Sequence, residues 1–132
     1  MTLKVSGGCM CGAIKYQCAS EVKFSLICQC RQCQQITGTG HAAQFACEAD
    51  STSITGTVST YALTSDAGNT VTSAFCGTCG NPMYKTTSMN PGLIVFHAAT
   101  LDDPSQFKPQ MVVYTSSAQP WDFINPSIKR NG

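Results

Sequence analysis

The sequence predicts a mainly β domain with little helix, and three observations carry that reading. Short segments rich in Thr, Val, Tyr and Phe recur along the chain. Glycine, proline and asparagine punctuate them as turns. One glycine- and proline-free stretch, 31–36, offers a short helix. With 132 residues and no repeat, linker or low-complexity segment, the chain reads most simply as one domain, residues 1–132. That length can bury a hydrophobic core, so any metal would reinforce the fold rather than create it.

The opening reads as a β-hairpin, with Leu3, Val5, Ala13, Ile14 and Tyr16 flanking the glycine-rich turn 7–12 that carries Cys9 and Cys11. A second strand, Val22 to Ile27, delivers the chain to Cys28. The helical stretch Arg31 to Ile36 follows, and Gly38 and Gly40 end it. Strands are then expected at Ala42 to Cys47, Ser53 to Thr55, Val58 to Leu63 and Val71 to Phe75, with turns at Gly56 and 65–69. A second thiol-bearing turn, Cys76-Gly77-Thr78-Cys79-Gly80, comes next. Strands Met83 to Thr86 and Leu93 to His97 flank Asn90-Pro91-Gly92, and Leu101 to Pro104 forms a loop or one helical turn. Met111 to Thr115 is a late strand, and Pro120-Trp121 opens the tail.

Charge and hydropathy exclude several function classes. The formal net charge is +1, only 11% of residues are charged and no basic stripe occurs, which argues against binding nucleic acid. No apolar run approaches membrane-spanning length. Met1 to Gly8 lacks the apolar centre of a signal peptide, so a cytoplasmic location is expected. An odd number of cysteines, nine, also argues against a disulfide framework.

The cysteines are clustered instead. Cys28, Cys30 and Cys33 place three thiols within six residues, a density that core packing does not require. Thiolates are the soft ligands zinc prefers, and three leave a tetrahedral ion one position short, which is the arrangement of a catalytic site. Cys30 and Cys33 alone would also match the spacing of a disulfide-exchange pair. Cys9-x-Cys11 and Cys76-x-x-Cys79 are two chelating pairs on glycine turns, and together they complete a closed four-cysteine structural site. The bland alternative is that these thiols are simply buried and reduced. Cys18 and Cys47 have no partner nearby in sequence and read as small buried residues. His41 is either a fourth ligand, an acid–base group or a structural histidine, and His97 at a strand end carries a weaker signal. Asp102-Asp103-Pro104 reads as a cap or turn rather than a catalytic carboxylate pair. Tyr61, Phe75 and Trp121 are candidate pocket walls or core residues.

Taken in order, GGCMCGAIKY, CQCRQCQQITG, FCGTCG, ATLDDP and a late PW, from Gly7 to Trp121, resemble the glutathione-dependent formaldehyde-activating family, which includes the centromere protein V group. The resemblance implies a β-tent (Mss4-like) fold with two zinc ions, a structural one on Cys9, Cys11, Cys76 and Cys79 and a catalytic one on Cys28, Cys30 and Cys33. It also implies a carbon–sulfur lyase run in the synthetic direction, joining glutathione or another small thiol to formaldehyde or another small aldehyde. Two departures stand out. Gln29 replaces the family's usual His between the first two catalytic cysteines, and Gln34 and Gln35 replace the basic residue after the third. The second departure leads to the expectation of weak selectivity for glutathione, restored by Gln34→Arg. Two other readings compete: a zinc-stabilised, chaperone-like binding module of the same fold, and a methionine sulfoxide reductase of the B type. The catalytic-cysteine segment of the latter is missing from this sequence.

Overall fold

Alternating side-chain burial explains how the opening hairpin forms. Ser6–Gly8 (β1) pairs antiparallel with Lys15–Cys18 (β2), and Tyr16 and Cys18 turn inward while Lys15 and Gln17 face solvent. The computed structural model describes residues 4–132, so the expected strand residue Leu3 lies outside the described residues. Further along the chain are Phe24–Cys28 (β3), the helix Arg31–Thr37 (α1), Ala42–Glu48 (β4), Thr52–Thr55 (β5), Val58–Thr64 (β6) and Thr70–Cys76 (β7). Pro82–Thr87 (β8), Leu93–His97 (β9), Met111–Val113 (β10) and Lys129–Asn131 (β11) complete the strands. They form a three-stranded sheet, β1-β2-β5, and an eight-stranded sheet, β11-β10-β3-β4-β9-β8-β7-β6. The structure is mainly β, as expected, and neither sheet closes on itself.

The large sheet has two faces with different tasks, because neighbouring residues of a strand point to opposite sides. Phe45 and Cys47 of β4 and Phe96 of β9 join Ile14, Tyr16 and Cys18 in the main core. Tyr16 stacks on Phe96 with ring centroids 3.9 Å apart, and its hydroxyl is 2.7 Å from Thr100 Oγ1. The alternate residues Ala42 and Gln44 turn the other way, where Ala42 packs with Cys28 and Cys33 in a separate cluster. Cys18 and Cys47 are buried, as expected, but they do have a partner. Their thiols come together where the inward faces of β2 and β4 meet, and each shifts the other, holding the Cys18 pKa down and pushing that of Cys47 up.

Other differences from expectation are local. The late strand stops at Val113 because Tyr114 adopts the left-handed conformation, φ 57°, which breaks the extended ladder. β11 carries no apolar signal and all three of its residues are exposed. Its parallel pairing with β10 comes from backbone groups that side-chain patterning does not report. The loop expected near Leu101 contains 3-10 turns at Ala98–Thr100 and Pro104–Gln106. Asp103 Oδ1 caps the second by accepting from the Ser105 N–H, and Asp102 accepts from Ser6 Oγ. No helix among the described residues is long and apolar enough to cross a membrane.

Candidate metal centres

Two turns bring the first group of sulfurs together. The β1–β2 hairpin holds Cys9 and Cys11, and the β7–β8 turn holds Cys76 and Cys79. Gly12 and Gly80 close these turns at φ 81° and 77°, a region that a side chain disfavours. The Met10 N–H donates to Asn81 Oδ1 at 2.9 Å, binding one turn to the other. All four sulfurs lie within 4.8 Å of one another. Cys9 Sγ is 3.6 Å from Cys11 Sγ, which is 3.7 Å from Cys76 Sγ. Zinc–sulfur bonds of about 2.3 Å give a tetrahedral edge of about 3.8 Å, so these separations fit a zinc ion with little movement. Backbone N–H groups of Ile14, Thr78 and Cys79 point at the sulfurs, the first toward Cys9 and the others toward Cys76. Such donors favour the thiolate form that a metal needs. Burial raises the Cys9 pKa, but the Ile14 N–H and the neighbouring thiols outweigh it and bring the value to about 6.

The second group sits where β3 runs into α1. Cys28 ends β3, Cys30 is the N-cap of α1 and Cys33 lies in its first turn. Cys30 Sγ accepts from the Cys33 N–H at 3.3 Å, so the thiol both caps the helix and faces the cluster. The three sulfurs lie within 4.8 Å of one another, and no His, Asp or Glu among the described residues completes the group. Contacts with Cys28 and then Cys33 hold the Cys30 thiol well below its usual pKa, while contacts with Cys28 and then Cys30 push Cys33 up. Soft sulfur donors this close together are the set that zinc prefers. The donor sets of both groups therefore fit zinc.

His41 does not join this group. Its Nδ1 lies 2.9 Å from Asp122 Oδ1, and Asp122 also accepts from Gln29 Nε2 at 3.0 Å. The Asp122 side chain is 7% exposed and lies so close to Gly40 that an added Cβ would run into its carboxylate carbon. Gln29, His41 and Asp122 thus fasten the C-terminal segment beside the helix. Asp122 was not found from sequence, because a carboxylate after Pro-Trp carries no spacing signal.

Gln34 proves to be structural rather than substrate-facing. It is 4% exposed, and its Nε2 donates to the Gln29 and Ser117 carbonyls at 2.8 and 3.0 Å. Its Oε1 accepts from Arg31 and Gln119. The expectation that Gln34→Arg would tighten glutathione binding is therefore replaced by another. The substitution should bury a guanidinium and disrupt this network, destabilising the fold by about 2–4 kcal/mol, as read from urea denaturation. Gln35, by contrast, is exposed. Of the candidate pocket walls, Tyr61 is 66% and Trp121 59% exposed, while Phe75 is half-buried on β7.

Sequence reading also missed Lys85 and Gln44. Lys85 Nζ reaches to 3.7 Å from Cys33 Sγ, and Gln44 Nε2 donates toward the same sulfur at 3.8 Å. A strand's period-2 alternation puts them on the face that bears Cys28, but sequence alone does not say which strands are neighbours.

A family model described as glutathione-dependent formaldehyde-activating enzyme matches residues 4–117. Among solved structures, the chain resembles the crystal structure of a Rhodobacter sphaeroides protein, a structural genomics target. Identity is 17% and the TM-score 0.61, with 96% of this chain and 99% of that one covered, a likeness in fold. No curated protein matches the chain.

Proposed function

The chain belongs to the glutathione-dependent formaldehyde-activating enzyme family, and from that premise we propose that it is a carbon–sulfur lyase joining a small thiol to a small aldehyde. Glutathione and formaldehyde are the pair that the family name suggests. In this reading residues 1–132 are a single β-tent (Mss4-like) domain that works in the cytoplasm, where reduced thiols are available. Cys9, Cys11, Cys76 and Cys79 hold a structural zinc, and Cys28, Cys30 and Cys33 hold a catalytic one. The observation that carries the proposal is the contrast between the two groups. One offers a complete tetrahedral set of sulfurs, while the other offers three with no fourth ligand in reach among the described residues.

Zinc, when bound there, supplies a Lewis acid that favours a substrate's thiolate over its thiol. The chain's own share is position. Cys28 is fixed by the β3–β4 ladder opposite Ala42, and Cys33 is fixed by α1, Gln44 and Lys85. In the reaction the thiolate sulfur attacks the carbonyl carbon and the carbonyl π electrons move to oxygen. The proton given up by the thiol returns on that oxygen, and the product is a hemithioacetal. Holding the two reactants in register is the source of acceleration that the residues provide.

Exchange spectroscopy tests this directly, because the uncatalysed addition is reversible. With ¹³C-formaldehyde and either glutathione or a small neutral thiol, the exchange rate should rise in proportion to protein concentration. A rate that no thiol raises above the protein-free control would sink the lyase reading.

A further inference from the structure

Lys85 on β8 is the cation that faces the three-cysteine group, with its Nζ 3.7 Å from Cys33 Sγ. Gln44 approaches the same sulfur from β4, and His97 on β9 stands directly opposite Gln44 in the sheet register. His97 is 8% exposed. Burial, and then the Lys85 charge, lower its pKa to about 4, so the imidazole is neutral at neutral pH. Arg31, the other cation nearby, is turned onto Gln34 Oε1 at 2.6 Å. The positive charge on this face therefore comes from Lys85.

We propose that Lys85 is a positioning residue that makes the three-cysteine group selective for an anionic sulfur ligand, the substrate's thiolate. The proposal rests on reading that group as an open metal site. Three thiolates around a divalent ion leave one net negative charge, and a fourth thiolate makes it two. In a half-buried place that second charge is unfavourable unless a cation lies beside it. A neutral ligand adds no charge and has no need of Lys85. The charge sought from sequence beyond Cys33 is thus supplied from across the sheet by a residue distant in sequence.

The test uses protein loaded with cobalt(II), whose absorption reports added sulfur ligands, titrated with 2-mercaptoethanol and separately with imidazole. Wild type, K85M and K85R are compared. The four-cysteine group, whose ligands all come from the protein, serves as the internal constant. K85M should bind the thiol about tenfold more weakly, the loss expected for one charge-assisted contact. Imidazole affinity should stay within about twofold, and K85R should recover most of the thiol affinity. Thiol binding by K85M equal to wild type would overturn the role of Lys85 alone, as would an equal loss of thiol and imidazole. A wild-type protein whose spectrum does not respond to thiol would overturn the open-site reading, and the selectivity with it.

Discussion

Replacing Cys76 with alanine is expected to destabilise the protein by about 4 kcal/mol or more, the scale of losing a structural metal. That corresponds to a fall in Tm of roughly 15 °C for a chain of this size. Cys76 is 1% exposed and part of the main core, and its Sγ accepts from the Thr78 and Cys79 N–H groups. Alanine leaves both donors without their acceptor and leaves three sulfurs where a closed site needs four. The effect also reaches beyond the turn. Cys9 and Cys11 anchor the small sheet and Cys76 and Cys79 the large one, so the site ties the two sheets together, beside the Met10–Asn81 hydrogen bond between the same turns. Thermal melting with zinc quantified in the same sample decides the matter. A variant that melts like wild type and keeps all its zinc would show that the four sulfurs do not form a metal site.

How much of this was legible in the sequence depends on how local each feature is. Apart from β11, which carries no side-chain signal, the strands and the α-helix could be read because turn residues and β-rich segments mark them, and α1 departs from its expected span by one residue, Thr37. Both cysteine groups could be read because each chelating pair or triad lies within a few residues, and the structure brings the expected sulfurs together. Contacts between distant strands were not legible. Lys85 and Cys33 are on elements far apart in the chain and meet only because β8, β9 and β4 are successive neighbours in the sheet. Cys18 and Cys47 met for a similar reason, on facing sheets. Gln34 shows the opposite error, where nearness in sequence to Cys33 suggested a role in the pocket. One turn of helix separates Cys30 from Gln34, and Gln34 points instead at the Gln29 carbonyl and at the Ser117 carbonyl of the chain that follows β10.

Cys30 allows capping and metal binding to be separated by one atom. As N-cap of α1 it has an extended backbone, φ −67° and ψ 154°, and accepts the Cys33 N–H. Serine fills such a position as well as any residue does, so Cys30→Ser should keep the helix and change stability by less than about 1 kcal/mol. A hydroxyl is, however, a far poorer zinc ligand than a thiolate, being harder and not ionised near neutral pH. Two sulfurs would remain where three were needed to hold an ion with an open position. The expected result is a protein that melts within a few degrees of wild type, carries one zinc fewer per chain and adds thiol to aldehyde at the uncatalysed rate. Cys30→Ala should lose the same zinc and also about 1 kcal/mol of stability, because the cap is gone. Zinc content, melting and the formaldehyde exchange rate, measured on all three proteins, separate the alternatives. A Cys30→Ser protein that keeps its zinc and its rate removes Cys30 from the metal site. One that unfolds would make the triad a structural element, and the open-site chemistry would lose its foundation.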